Sequence, residues 1–317
     1  MDLSIIIPLL NESESLDELH DWILNELKTV SIKYEIIFID DGSIDNSWEK
    51  IQKLNKINKN TKGIRFLKNY GKSQALHAGF LKCSGRIVVT LDADLQDSPS
   101  EILNLYNRII NEKLDVISGW KKKRYDSIIF KNIPSKIFNW AARKVSGIKI
   151  HDFNCGIKAY RSEVIKNINV YGEMHRYIPV LASNNGYNKI DEQIVIHQAR
   201  KYGVTKFGWS RFINGFLDLI TIWFLNKFGK KPMHLFGLIG TIMLIIGFFS
   251  SLYIGIDKLY FKTQGRLITE RPEFYIALTT MILGAQFFVA GFVGELIIKY
   301  QNKAKRYRII SNLFNKK

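Results

Sequence analysis

Asp92-Ala93-Asp94-Leu95-Gln96-Asp97 follows directly on the apolar, β-branched run Val88-Val89-Thr90-Leu91. Such a run reads as a buried strand. If the backbone stays extended, Asp92 and Asp94 point the same way, because strand side chains alternate with period 2. Two carboxylates converging at the carboxyl end of a strand, with the amide oxygen of Gln96 two residues on, suit a hard divalent cation. Mg²⁺ or Mn²⁺ takes a few protein oxygens and keeps positions for phosphate and water. Ser98-Pro99-Ser100-Glu101 then reads as a capping box with Pro at the first helical position, so a helix is expected just past the acids. A lone Asp-x-Asp is more often a polar loop. Here strand, acids and cap agree, which favours a site for metal and phosphate.

The elements that must position these acids alternate strand with helix. Leu3-Ser4-Ile5-Ile6-Ile7 is a first strand closed by Pro8, and Asn11-Glu12-Ser13-Glu14 opens an amphipathic helix reaching about Val30. Tyr34 to Ile39 is a second strand ending in Asp40-Asp41-Gly42-Ser43, followed by a helix from Ile44 to about Asn58. Gly63 to Leu67 is a short strand, Gln74 to Lys82 a helix, and Arg86 to Leu91 the central strand. Acids at strand ends in such an alternation argue a parallel, Rossmann-like α/β sheet that binds its ligand along the carboxyl edge.

The 317 residues have room for about two domains. The formal net charge of +17 calls for an anionic partner, whether nucleic acid, phosphate esters or an acidic membrane face. Residues 120 to 149 hold nine Lys/Arg against one acid, Asp126. Cys83 and Cys155 fit no disulfide framework or metal spacing and read as small buried hydrophobes of a reducing compartment. Trp209 to Phe228 is apolar and aromatic at near-helical spacing with basic ends, the profile of a helix lying in a membrane interface. Residues 232–256 and 274–298 then read as two membrane spans, each long enough for a hydrocarbon core of about 30 Å. Arg200 to Lys231 and the tail Lys299 to Lys317 hold seven Lys/Arg each; the loop 257–273 has four, offset by three acids. The positive-inside rule therefore places the 1–205 domain, the 206–231 linker, the 299–317 tail and both termini in the cytoplasm. Two such spans and acids at strand ends argue against a nucleic-acid-binding protein.

Six short stretches, in order, resemble the inverting family-2 glycosyltransferases of the polyprenyl-phosphate type. They are Ser4-Ile5-Ile6-Ile7-Pro8 with Asn11-Glu12, Asp40-Asp41-Gly42-Ser43, Asn69-Tyr70-Gly71-Lys72, Asp92-Ala93-Asp94-Leu95-Gln96-Asp97, His151-Asp152-Phe153-Asn154-Cys155-Gly156, and Arg200 to Phe207. Thr205 and Phe207 stand where Ser and Tyr are more usual in that family. The resemblance implies a GT-A catalytic domain, interface helices and two carboxyl-terminal spans. It also implies Mg²⁺ or Mn²⁺ as cofactor, a nucleotide-sugar donor, a polyprenyl phosphate acceptor and assembly as a homo-oligomer.

The same resemblance implies roles. Pro8, Asn11 and Glu12 would floor the nucleotide, Asp40 and Asp41 would contact base and ribose, and Lys72, Arg200 and Lys206 would hold the diphosphate. Asp94 and Gln96, with Asp92, would be the metal ligands. Asp152 falls where the family places an acid near the reacting centre, as base or as positioning group. Lys121, Arg124, Lys136, Arg143 and His175 form the candidate surface for the acceptor phosphate. UDP-glucose is the first donor expected and GDP-mannose the next. A polysaccharide synthase would share the sheet but needs more spans and a Gln-x-x-Arg-Trp motif, neither of which is present. A membrane scaffold that binds lipid headgroups without turnover would be expected to have lost one of Asp41, Asp92, Asp94 or Asp152, and all four are there.

Overall fold

The computed structural model describes residues 1–122, 146–199, 201–202, 231–261 and 266–300, the strand residues 309–312, and single positions between them (139, 140, 142–144, 217, 220, 221, 224, 227, 228 and 264). The chain divides into two compact units, residues 1–220 with 305–317, and residues 221–304.

The first unit is built on an eight-stranded sheet. Its strands are β1 (Leu3–Leu9), β2 (Tyr34–Asp40), β3 (Thr61–Phe66), β4 (Ile87–Thr90), β5 (Val116–Trp120), β6 (Lys158–Arg161), β7 (Ile190–Ile194) and β8 (Ile309–Asn312), in spatial order β7-β5-β6-β4-β1-β2-β3-β8. All seven residues of β1 are buried, as expected for a central strand covered on both faces. Helices α1 (Leu16–Leu27), α2 (Ser47–Ile57), α3 (Lys72–Lys82) and α4 (Glu101–Asn111) make the crossovers, and each turns an apolar stripe inward; α4 buries Ile102, Leu105, Tyr106 and Ile109. Two shorter helices follow, α5 (Ser162–Asn167) and α6 (Ile178–Asn184), the latter preceded by a 3₁₀ turn at Met174–Tyr177.

The sheet is mixed rather than wholly parallel. β4, β1, β2 and β3 run parallel, but β6 lies antiparallel between β4 and β5, and β8 is antiparallel to β3. β1 also runs past Pro8 to Leu9. Pro8 is tolerated because its nitrogen faces the β4 side, where pairing has already ended at Ile6↔Thr90. At the amino-terminal edge of the sheet, Glu35 is fully buried. It accepts from Ser4 Oγ (2.6 Å), Ser84 N (2.6 Å), Ser84 Oγ (2.8 Å) and Lys62 Nζ (2.5 Å), which satisfies its charge without water.

The second unit is a helical pair, α7 (Met233–Ile256) and α8 (Pro272–Tyr300). A Cβ on Gly240 would stand 2.6 Å from the Gly284 carbonyl oxygen, and one on Gly284 2.8 Å from that of Gly240, so the two backbones meet directly. Facing outward, Ile246, Phe248, Phe249, Val289 and Phe292 are each more than half exposed, unlike the stripe of a soluble core helix. Both helices are long and apolar enough to cross a membrane. Of the expected interface helix at 206–231, only residues 217, 220, 221, 224, 227, 228 and 231 are among the described ones.

Candidate active site

Because β1, β2 and β4 are parallel, the chain leaves all three at one edge. After β1, Asn11 takes φ 53°, a left-handed conformation that asparagine tolerates. There its backbone N–H donates to Ser43 Oγ (2.9 Å) while its side-chain carbonyl accepts from Ile44 N (2.9 Å). Glu12 N donates to Ser47 Oγ (3.2 Å), so the loops after β1 and β2 are laced together. Asp40, fully buried at the end of β2, accepts from Ser43 N (2.8 Å) and lies 3.6 Å from Arg65 Nε. Asp41 accepts from the N–H groups of Tyr70 (2.7 Å) and Gly71 (2.8 Å), one on each carboxylate oxygen. Burial nevertheless pushes its pKa up to about 6, with the Asp40 charge adding to the rise against those two donors. Gly42, at φ 81°, has no room for a side chain: a Cβ would meet the Lys68 carbonyl carbon at 2.4 Å. The Asp-Asp-Gly-Ser turn and the Asn69–Lys72 segment thus form one interlocked wall.

The acids after β4 do not stay extended. The backbone turns at Ala93-Asp94, Leu95 takes φ 59°, and Asp94 Oδ1 accepts from Gln96 N (3.2 Å). Buried Ala93 and Leu95 pull the loop over the core between the partly exposed Asp92, Asp94 and Gln96. The capping box also fails to form. α4 starts only at Glu101, and that side chain instead accepts from Gln193 Nε2 (3.0 Å) and Ile196 N (3.4 Å), tying α4 to the end of β7.

Asp92 is the hub. Lys72 Nζ donates to it at 2.5 Å, and the missing side chain of Gly156 makes room for it, since a Cβ there would stand 2.4 Å from Asp92 Oδ2. Burial opposes the Asp92 charge, but Lys72, Lys121 and Lys158 together hold its carboxyl below the usual range. Thr90 Oγ1 donates to the Gly156 carbonyl (3.0 Å), and buried Lys158, the first residue of β6, donates to that of Cys155. Asp152, 1% exposed, accepts from Asn154 N (3.0 Å), and its own carbonyl accepts from Ser118 Oγ (3.1 Å). Just before it, the His151 ring stacks on Trp120 (centroids 4.2 Å apart, 14° between planes) and pairs with Glu192. The loop 151–156 is therefore anchored at both ends and brings Gly156 to the carboxyl edge against Asp92, with buried Asp152 four residues before it.

Lys121, expected on an open basic surface, points inward to a 2.6 Å ion pair with Asp97. That pair holds its ammonium above the usual lysine range although burial works the other way. Asp97 also forms an isolated β-bridge with His197, and Gln198 N donates to the Gln96 carbonyl (2.8 Å), so the acidic turn is zipped to the segment that follows β7. His175 sits against α3, its N–H donating to Ser73 Oγ (3.0 Å), and Arg143 is partly exposed. Arg124, Lys136, Arg200 and Lys206 lie outside the described residues. Sequence reasoning missed Lys158, whose one signal was a lysine between Ile157 and Ala159 in an otherwise apolar run, and His197, which carried none. Among the described residues no three His, Cys, Asp or Glu side chains converge as a self-sufficient metal cage. Two carboxylates and an amide oxygen still fit a hard cation that completes its shell with substrate phosphate and water.

Comparison with known proteins shows the family and the fold. A family model described as glycosyl transferase family 2 matches residues 4–168. The chain is 30% identical to the dodecaprenyl-phosphate galacturonate synthase of Rhizobium johnstonii, over 99% of this chain and 94% of that protein. It is 32% identical to the undecaprenyl-phosphate 4-deoxy-4-formamido-L-arabinose transferase of Proteus mirabilis, over 96% and 90%. Among solved structures, glucosyl-3-phosphoglycerate synthase from Mycobacterium tuberculosis, in complex with Mn²⁺, UDP and glucosyl-3-phosphoglycerate, shares the fold. Its TM-score is 0.52 at 16% identity, covering 71% of this chain and 79% of that one.

Proposed function

The chain belongs to glycosyl transferase family 2, among the polyprenyl-phosphate glycosyltransferases, and from that premise we propose that it moves one sugar, with inversion, from a nucleotide-sugar to a polyprenyl phosphate at the cytoplasmic membrane face. The observation that carries this reading is the Asp92 hub, a carboxylate kept charged between Lys72 and the bare backbone of Gly156, with Asp94 and Gln96 on the next turn.

In the reaction, a phosphate oxygen of the lipid attacks the anomeric carbon as the bond to the nucleoside diphosphate breaks. The lipid phosphate is already anionic at neutral pH, so its attack needs little base. Buried Asp152 therefore serves to orient sugar or acceptor. Charge gathers on the leaving diphosphate, and Lys72, Arg200 and Lys206 neutralise it in the transition state. Asp94, Gln96 and Asp92 would hold Mg²⁺ or Mn²⁺, whose chemistry is Lewis-acid stabilisation of that same diphosphate. Pro8, Asn11, Glu12, Asp40 and Asp41 line the nucleotide side. Since the Asp41 oxygens are occupied by Tyr70 and Gly71, its part is to shape the wall that receives the nucleotide.

The sugars named for the two relatives move the donor expectation away from UDP-glucose and GDP-mannose, toward a nucleotide-linked uronic acid or modified pentose. The first unit holds residues 1–220 and 305–317, the latter carrying β8, which pairs with β3. That connectivity, with the basic flanks, supports α7 and α8 as an even pair of spans with both termini in the cytoplasm. The test is a donor panel: full-length protein in detergent, undecaprenyl phosphate, Mn²⁺ or Mg²⁺, and labelled UDP- and GDP-sugars in turn. A lipid-extractable product from one donor is expected. No product from any of them, with nucleotide binding intact, would overturn the reading.

A further inference from the structure

Asp92 is a candidate metal ligand whose metal-facing oxygen is already taken. Lys72 Nζ donates to its Oδ1 at 2.5 Å, the one hydrogen bond that the Lys72 side chain makes among the described residues. Oδ2 lies deeper against Gly156, since a Cβ there would stand 2.4 Å from Oδ2 and 3.0 Å from Oδ1. No alternative cage is at hand, because among the described residues no three His, Cys, Asp or Glu side chains converge. A cation reaching the donor-free edge must therefore displace an ammonium, against further positive charge from Lys121 and Lys158. The three lysines are not equal. Lys121 is fixed on Asp97 (2.6 Å) and buried Lys158 on the Cys155 carbonyl. Lys72 and Asp92 are 34% and 29% exposed, so their contact alone lies open. The backbone on both sides of Lys72 is held, Tyr70 and Gly71 by Asp41, and Ser73 by its hydroxyl, which accepts from His175 N (3.0 Å). Only the side chain has to move, and a lysine carries its charge on a flexible four-carbon stem.

We propose that Lys72 is a latch on the metal position: in the donor-free protein it closes Asp92 by pairing with it, and it swings to the diphosphate when the nucleotide-sugar arrives, which opens Asp92 to the cation. The exchange balances charge. The ammonium passes from a carboxylate to the diphosphate, and the vacated carboxylate takes a divalent cation. The cation then enters with the nucleotide rather than ahead of it, and the two sites are coupled through one side chain. The inference rests on the transferase reading and adds an order of binding to it.

The experiment titrates Mn²⁺ into full-length protein in detergent and reads the free ion by its paramagnetic resonance, first without nucleotide and then with saturating UDP or GDP. A nucleotide brings oxygens of its own to the ion, so the affinity without nucleotide is the deciding quantity. There Lys72→Met should bind Mn²⁺ about tenfold more tightly than wild type, with Lys72→Gln as a second neutral variant. Lys72→Arg, which keeps the charge, should stay within about threefold of wild type. Adding Asp92→Asn to Lys72→Met should abolish the gain. Neutral variants within about twofold of wild type, or a gain that survives Asp92→Asn, overturn the latch. The transferase reading still stands in that case, provided the wild type takes up Mn²⁺ with nucleotide. A wild type that takes up none with either nucleotide, beyond what the nucleotide alone binds, overturns the metal assignment and the latch with it.

Discussion

Replacing Gly156 by alanine tests whether Asp92 is held where the chemistry needs it. The new Cβ would fall 2.4 Å from Asp92 Oδ2, 2.6 Å from Cγ and 3.0 Å from Oδ1, against an ordinary contact of 3.4 Å or more. Carboxylate or loop must therefore give by about 1 Å. Moving the carboxylate that far stretches the 2.5 Å Lys72 contact to about 3.5 Å, outside strong hydrogen bonding. Moving the loop instead pulls the Gly156 carbonyl off Thr90. Overpacking of this kind costs about 1–3 kcal/mol of stability. An error of about 1 Å in a reacting constellation costs on the order of 10²-fold in rate. Gly156→Ala should thus stay folded, keep nucleotide binding within several-fold and lose roughly a hundredfold in turnover. Gly255→Ala, where a Cβ meets nothing within 4 Å, is the control. The assay is sugar transfer to lipid beside thermal unfolding of the same preparations. A Gly156→Ala enzyme within about threefold of wild-type turnover would refute the placement of Asp92 at the reacting centre.

Two buried acids predict opposite pH signatures. Asp41 has its pKa raised by burial from 3.8 to about 6, so its contribution to stability is complete below pH 4 and is lost as pH rises through 6. The span is about 3 kcal/mol, and thermal midpoints of wild type against Asp41→Asn between pH 4 and 7 should show that slope flattened in the variant. Burial disfavours the Glu35 charge, yet Lys62, Ser4 and Ser84 hold its carboxyl below 4.5, so its stabilisation is present above that pH and disappears as pH falls through the lower folded value. Glu35→Gln should cost about 3 kcal/mol at neutral pH, read by denaturant unfolding, and should blunt acid denaturation; unchanged unfolding would contradict the buried pair.

What the sequence disclosed was what near-neighbour patterns encode. β1, β2, β3 and β4 show as apolar runs because a central parallel strand is buried on both faces, and α3 shows by its spacing. The acids stood out because they follow an apolar strand run directly and precede a helix start. The misreadings came from long-range contacts. Glu101 looked like a capping residue and is taken by Gln193, ninety-two positions away. Lys121 sat in a basic run that read as surface, yet Asp97 draws it inward. β6 is four residues long with a lysine at its start, too short and too polar at its edge to announce an antiparallel strand. Asp92 and Asp94 were expected on an extended backbone, and the pull of Ala93 and Leu95 into the core bends it.

The central claim is that the acidic turn after β4 drives sugar transfer to a lipid phosphate through a bound divalent cation. The most direct test compares wild type and Asp94→Ala, both shown folded by thermal unfolding, for lipid-linked sugar formed from the best donor, with and without EDTA. The account predicts product from the wild type that vanishes with chelator and returns with Mn²⁺ or Mg²⁺, and almost none from Asp94→Ala under any condition. Near-wild-type product from Asp94→Ala, or transfer indifferent to chelator, would contradict it.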